Sequence, residues 1–413
     1  MPADTRKGLK FVVVDDDQMI LNLQAKLLMK AGHSVVCEND STKAMTQIRA
    51  ERPDCVITDL MMPGVTGYQI VTDIKADADL KETSVIVVSA KAFDFDRRQA
   101  LKMGADGFFQ KPIDPKTYAK AIEDILSDTI EMTPWGVRGT LPVAGERALR
   151  YGGNTSCVSL RFPRNRTFIF DAGTGIKELS NAVLARDGGK LAAKIFISHP
   201  HWDHINALPF FVPLYIAGNE FEILGVSHPH ATTRELISAQ MDDVYFPITL
   251  KEFGARVYFR DIEEGTYTID GIAVTTMLLS HPGNCLGYRI DYHGRSVCYV
   301  TDNELFLPDS PHYNLRYVED LARFVSGTDA LITDCTYLDE DYPSRVGWGH
   351  SCVSQVVDLA ARAEVKTLYL VHHDPDQNDA AIDAKLASAQ EQLAKANPAV
   401  SCLAPQEGET FKI

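Results

Sequence analysis

Residues 198–208 read SHPHWDHINAL, and His199, His201, Asp203 and His204 crowd into this stretch directly after the apolar run KIFI at 194–197. A β-like run followed by a His-x-His-x-Asp-His loop places imidazoles and a carboxylate at a strand end, where they can aim at two adjacent points. Imidazole nitrogen and carboxylate oxygen suit Zn²⁺, with Mn²⁺ or iron as alternatives. The competing reading is a polar loop that happens to be rich in histidine. Four side chains are too few for two catalytic ions, so the metal reading requires further ligands downstream. Candidates stand at the ends of other apolar runs: His281 in LLSHPGN, Asp302 in VCYVTDNE, and His372 in LYLVHHDP, with His373 as its neighbouring rival.

Around these motifs, strand-like runs recur at CVSLRF, TFIFDAG, KIFISH, VYFRDI, YTIDGIAVTTM, LGYRIDYHGRSVCYVTD and ALITDCTY. Helical spacing falls around 175–187, 232–243, 317–326, 351–363 and 379–395. Strand pairs separated by helices predict two packed sheets with helices outside, an αββα sandwich. The start of the chain has a different rhythm. Apolar β-branched runs at 9–15, 34–37, 55–59, 84–90 and 107–110 alternate with amphipathic stretches such as MILNLQAKLLMKAG (19–32), closed by Gly32. That alternation predicts a doubly wound, five-stranded parallel sheet, with a last helix over 115–127. The expected organisation is a first domain at 1–128, a linker at 129–134 and a second domain at 135–413.

The chain has 413 residues, 45% hydrophobic and 23% charged, so two soluble-type domains each have enough sequence for a core. A net charge of −15 argues against broad nucleic-acid binding, which needs a basic face. The N-terminal stretch MPADTRKGLKFVVVDDD has no apolar signal-peptide core, and runs such as ALPFFVPLYIAG (207–218) contain prolines and are too short to span a bilayer. Eight scattered cysteines without a CxxC pair point to a reducing cytoplasm rather than a disulfide framework. The expectation is therefore a cytoplasmic protein with no membrane span and no DNA-binding domain.

In the first domain the polar residues stand at strand ends: Asp15 and Asp16 after the first, Asp59 after the third, Ser89 after the fourth and Lys111 after the fifth. Carboxylates gathered in one crevice repel unless a cation joins them, and Mg²⁺ suits an all-oxygen site. This segment resembles a response-regulator receiver domain: VVVDDD carries the acidic pair, DLMMPGVTG (59–67) fits Asp-x-x-Met-Pro-x-x-x-Gly, and Lys111-Pro112 follows the fifth strand. The resemblance implies that Asp59 accepts a phosphoryl group from a histidine kinase or phosphotransfer protein. Asp15, Asp16, Asp59 and the Met61 carbonyl would hold Mg²⁺, Ser89 and Lys111 would bind the phosphoryl oxygens, and Phe108 would be the switch aromatic.

From about 133 onwards the chain resembles the metallo-β-lactamase fold, and within it the phosphodiesterase branch that includes tRNase Z and cyclic-phosphate phosphodiesterases. GVRGTLPVAG…RYGGNTSCV (136–158) and FDAGTG (170–175) carry that likeness beside the histidine loop. It implies that His199, His201 and His281 bind one ion, that Asp203, His204 and His372 bind a second, and that Asp302 bridges them. Asp171 would support the loop from behind. DCTYLDEDYPSRVGWGHS (334–351) resembles the segment that supplies a catalytic histidine, so His350 would protonate the leaving group, Asp334 would orient it, and Asp203 would serve catalysis as well as the metal. The reading that follows is a binuclear phosphodiesterase for a small nucleotide, cyclic ones included, gated by Asp59, with a homodimer as the candidate assembly. The alternatives are an RNA-processing nuclease of tRNase Z type and a non-hydrolytic diiron or redox sensor. Flavodiiron relatives carry Glu where this chain has His201, which disfavours the sensor. The absence of a flexible Lys-rich insertion disfavours tRNA.

Overall fold

In the computed structural model, which describes residues 8–81, 83–90, 94–163, 165–226, 228, 230–242, 244 and 247–413, the chain divides between Ser127 and Asp128 into two units. The first unit alternates β1 (Lys10–Val14), α1 (Gln18–Lys30), β2 (Ser34–Glu38), α2 (Ala44–Glu51), β3 (Cys55–Asp59), α3 (Gly67–Ala76), β4 (Ser84–Ser89), α4 (Asp94–Lys102), β5 (Gly107–Gln110) and α5 (Tyr118–Ile125). The strands form one parallel sheet in the order β2-β1-β3-β4-β5. α1 shows why the alternation folds this way. Asp17 caps its first amides, Leu21, Gln24, Ala25 and Leu28 lie on its buried face, and the left-handed Gly32 (φ +95°) turns the chain into β2. α5 is shorter than the expected 115–127, because Asp114 first forms a turn that accepts from the Thr117 hydroxyl at 3.1 Å.

The second unit contains two seven-stranded sheets. The first has β6 (Glu131–Gly136), β7 (Cys157–Phe162), β8 (Arg166–Phe170), β9 (Ala192–Ile197), β10 (Glu220–Val226) and β11 (Arg256–Ile262), and it is closed at one edge by the terminal β19 (Phe411–Lys412). The second has β12 (Gly265–Ile269), β13 (Ile272–Leu278), β14 (Leu286–Tyr292), β15 (Arg295–Val300), β16 (Ala330–Asp334), β17 (Thr367–Val371) and β18 (Ser401–Leu403), in that order. The helices are α6 (Ile176–Asp187), the single turn α7 (Trp202–Ile205), α8 (Thr233–Ala239), α9 (Leu315–Phe324), α10 (Val353–Arg362) and α11 (Asp379–Ala396). The stretch read as a linker, 129–134, is in part a strand: β6 begins at Glu131 and pairs with β7, with an irregularity between Pro134 and Gly136. Its proline tolerates the strand because the ladder breaks there.

The inward faces of the two sheets meet in one aromatic core. Phe168 and Phe170 pack on Phe196 within one sheet, and Phe170 and Phe196 touch Tyr288 and Tyr299 from the other, with cross-sheet ring centroids 5.3–5.6 Å apart. A second cluster packs α9, α10 and α11 on one outer face, and a third packs α6 on the other, which completes the αββα sandwich. Phe196 is fully buried at the centre. Phe196→Ala should lower unfolding stability by about 3–5 kcal/mol in chemical denaturation, through lost contacts and a residual cavity.

Candidate metal centre and acidic pocket

β9 ends at Ile197 and delivers Ser198 and His199 into the interior, and α7 then turns Asp203 and His204 back beneath them. β13, β15 and β17 lead in the same way to His281, Asp302 and His372. Among the described residues three groups have donor atoms within 4.8 Å of one another: His199, His201, His281 and Asp302; Asp203, His204, Asp302 and His372; and Asp334, His350 and His372. The first two are joined by a shared carboxylate. Asp302 belongs to both. Its Oδ2 lies 3.6 Å from His199 Nε2 and 3.7 Å from His281 Nε2. Its Oδ1 lies 3.2 Å from His204 Nε2 and 3.1 Å from His372 Nε2. His373, the rival of His372, is in neither cluster.

The outer nitrogens are already engaged. His204 Nδ1 donates to Asp171 at 2.7 Å, His281 Nδ1 donates to the Gly349 carbonyl at 3.0 Å, and His199 Nδ1 and His372 Nδ1 lie 3.0 and 3.2 Å from the hydroxyls of Ser198 and Thr336. That leaves their Nε2 atoms facing the shared carboxylate. Among the described residues the buried His199 Nε2 has no hydrogen-bond partner, a cost that a bound cation removes. Burial holds His199, His201 and His281 below the usual imidazole pKa, so they are neutral and ready to ligate. Burial also opposes charge on His204, but Asp203, Asp302 and Asp171 outweigh it and raise its pKa. Burial opposes charge on Asp203 too, yet His204 and His372 hold its carboxyl below the normal range. A centre with this much buried carboxylate needs positive charge. The nitrogen and oxygen donor set fits two divalent transition ions, Zn²⁺ foremost.

Asp171 organises the loop from behind. Its carboxylate accepts from Ser198 N and Oγ (2.7 and 2.9 Å), His204 Nδ1 and Tyr299 Oη (2.8 Å), and its backbone is left-handed at φ +59°. Asp171→Asn suits the same backbone but removes the charge behind His204. It should weaken metal affinity by roughly 10–100-fold in a chelator competition.

His350 sits beside the second cluster, its ring stacked on His372 with centroids 4.9 Å apart. Its Nδ1 donates to Asp334 at 2.8 Å, and Asp334 is itself held by Thr336 N (2.9 Å) and Oγ1 (2.7 Å). Burial works against the imidazolium, but the charge and hydrogen bond of Asp334 push His350 up to about 9. Three supporting residues escaped the sequence reading. Buried Glu304 accepts from Tyr342 Oη, Gly347 N and Gly349 N. Thr336 joins Asp334 to His372. Lys385, fully buried on α11, donates to the carbonyls of Cys335 (2.6 Å) and Thr336 (3.0 Å). Lys385 carried a visible signal, since it falls on the apolar stripe Ile382, Lys385, Ala389, Leu393.

In the first unit, Asp15, Asp59 and Lys111 converge at the carboxyl ends of β1, β3 and β5. Lys111 Nζ lies 2.8 Å from Asp15 and 2.6 Å from Asp59. Burial disfavours the Lys111 charge, but these two carboxylates raise its pKa, and burial raises that of Asp15. Asp16 is exposed, Asp59 accepts from Met61 N at 2.7 Å, Lys111 N donates to Ser89 O at 2.8 Å, and the Lys111-Pro112 peptide is cis. Phe108 is half-buried on β5. The carboxylates of Asp15, Asp16 and Asp59 with the Met61 carbonyl are an all-oxygen donor set that fits Mg²⁺.

Comparison with known proteins agrees with both units. Residues 11–123 match the response regulator receiver domain, and residues 166–373, half of the chain, match the beta-lactamase superfamily domain. Over 118 residues the chain is 30% identical to Protein PilH of Pseudomonas aeruginosa, a match covering 29% of this chain and 98% of PilH. Over 116 residues it is 34% identical to Protein PilG of the same organism, covering 28% of this chain and 86% of PilG. The metallo-beta-lactamase fold protein YhfI of Bacillus subtilis superposes with a TM-score of 0.51 at 16% identity, covering 70% of this chain and 100% of YhfI, which speaks to fold. The chain belongs to the beta-lactamase superfamily, in its metal-binding fold, and carries a response-regulator receiver domain at its N-terminal end. A receiver implies a phosphoryl donor such as a histidine kinase, and among the described residues no helix is long and apolar enough to cross a membrane.

Proposed function

We propose that the protein is a response regulator whose output domain is a two-metal phosphodiesterase acting on a small nucleotide phosphodiester under the control of Asp59. The observation that carries the reading is the Asp334–His350 pair, 2.8 Å apart, placed beside two clusters that share Asp302. His199, His201, His281 and Asp302 would hold one ion, and Asp203, His204, Asp302 and His372 the other. Two divalent ions there would supply Lewis-acid charge for the phosphoryl oxygens and a nucleophilic water acidified to near neutral pH. Asp203, anchored by Thr140 N at 2.8 Å, would orient that water through its carboxylate. His350, with Nδ1 committed to Asp334, presents Nε2 to the departing alkoxide and gives it a proton. Asp334 keeps the imidazolium in place and stabilises its charge. A net charge of −15 favours a small substrate over a long RNA.

In the receiver, Asp59 would take the phosphoryl group, Lys111 and Ser89 would bind its oxygens, and Asp15, Asp16 and the Met61 carbonyl would hold Mg²⁺. Phe108 would carry the change to the β5 surface. Acetyl phosphate with Mg²⁺ should alter phosphodiester turnover of the wild type and leave Asp59→Ala unchanged. An identical response in both proteins removes Asp59 from control. The reaction itself is tested by metal analysis of the purified protein followed by a screen of cyclic mono- and dinucleotides, and failure to turn over any phosphodiester would reject it.

A further inference from the structure

Two of the three tryptophans lie exposed next to candidate ligands of the first cluster. Trp202, 82% exposed, stands between His201 and Asp203, and Trp348, 58% exposed, adjoins Gly349, whose carbonyl accepts from His281 Nδ1 at 3.0 Å. Leaving an indole in water forfeits a large apolar burial, so a chain that fixes one there has a use for it. Trp348 is fixed. The buried carboxylate of Glu304 accepts from Gly347 N and Gly349 N, both at 2.7 Å, on either side of the tryptophan, and from Tyr342 Oη at 2.9 Å. Both glycines have left-handed backbones (φ +87° and +86°). A Cβ at Gly349 would clash with His281 Nδ1, so this close seating of the loop on the ligand requires glycine. Burying a carboxylate is costly unless its oxygens are satisfied, and here they are satisfied by the amides that aim Trp348. Arg345 completes the surface, its guanidinium carbon 4.8 Å from the Trp348 ring centroid and 5.6 Å from that of Tyr337.

From this geometry we propose that the loop Tyr342–Gly349 is a nucleobase subsite, in which Trp348 stacks on the base of a nucleotide whose phosphate lies at the metal centre. Trp202 supplies a second aromatic surface on the same histidine cluster, and Arg345 both backs the Trp348 ring and offers donors to the base edge. Glu304 acts as a positioning residue. The proposal rests on the phosphodiesterase reading and adds what that reading does not contain: recognition through the base, by stacking.

The test is calorimetric titration of the full chain, loaded with Zn²⁺, with 5′-AMP and with ribose 5-phosphate, which differ only by the base. The wild type should bind 5′-AMP at least about tenfold more tightly, the range expected for one stacked base. Trp348→Ala should bring the two affinities near parity, and Trp348→Phe should restore part of the preference. Equal wild-type affinities, no binding of either ligand, or a preference that survives Trp348→Ala overturns the proposal. A preference that survives while Trp348→Ala reduces self-association in ultracentrifugation overturns it in favour of a protein interface. Wild-type hydrolysis of bis(p-nitrophenyl) phosphate is read separately: its absence beside a clear 5′-AMP preference rejects the phosphodiesterase reading and keeps the base subsite.

Discussion

Asp302→Ala is expected to lose both ions together and to lower phosphodiester turnover by at least about 10²–10³-fold. Asp302 is the residue that joins the two four-residue clusters, with Oδ2 turned to His199 and His281 and Oδ1 to His204 and His372. Burial disfavours its charge, yet His372, His204 and His199 hold it well below the usual carboxylate range, so it is ionised and available to two cations. Removing it leaves imidazoles around an empty centre and separates the ions' common counter-charge. Asp302→Asn keeps the shape and loses the charge, and it should fail in the same way. Elemental analysis per chain reads the first effect and steady-state kinetics the second. Two retained ions with near-normal turnover would mean that Asp302 does not bridge.

His350→Ala is expected to keep both ions and to lose about 10²–10⁴-fold in turnover of a phosphodiester with an alkyl leaving group. His350 is outside the two shared clusters, and its Nδ1 is taken by Asp334. The charge and hydrogen bond of Asp334 favour its protonated form against burial, and cations bound nearby oppose that shift. The sign of the leaving-group effect distinguishes a proton donor from a structural residue. A p-nitrophenolate needs little help to depart, so the loss should be much smaller for bis(p-nitrophenyl) phosphate than for an alkyl diester. An equal loss for both would assign His350 to substrate placement, and loss of metal would make it a ligand.

Much of this was legible because function sits at strand ends. Runs such as VVVDDD, CVITD, KIFISH and LYLVHHDP carry the period-2 or continuous apolar pattern that marks a buried strand, and the polar residue that follows marks the site edge. The structure brings the three histidines and the aspartate of 199–204 together with His281, Asp302 and His372. The strands that escaped notice have physical reasons. Glu131–Gly136 contains Pro134 and Gly136, which read as a linker, and its pairing with Phe411–Lys412 links positions far apart in sequence. Glu220–Val226 begins with an alternating charge pattern that offers no motif. The supporting polar residues were hidden for another reason. Glu304 and Thr336 look like surface residues until tertiary packing buries them, and no local spacing reports that Glu304 binds amides more than forty residues away.

The most direct measurement is metal content and turnover on the same preparation: elemental analysis of the full chain, then hydrolysis of a cyclic nucleotide phosphodiester beside a phosphomonoester and a β-lactam. The account predicts about two divalent transition ions per chain and turnover confined to the phosphodiester. A chain that binds fewer than two ions, or that binds both and hydrolyses the β-lactam in preference to the diester, would contradict it.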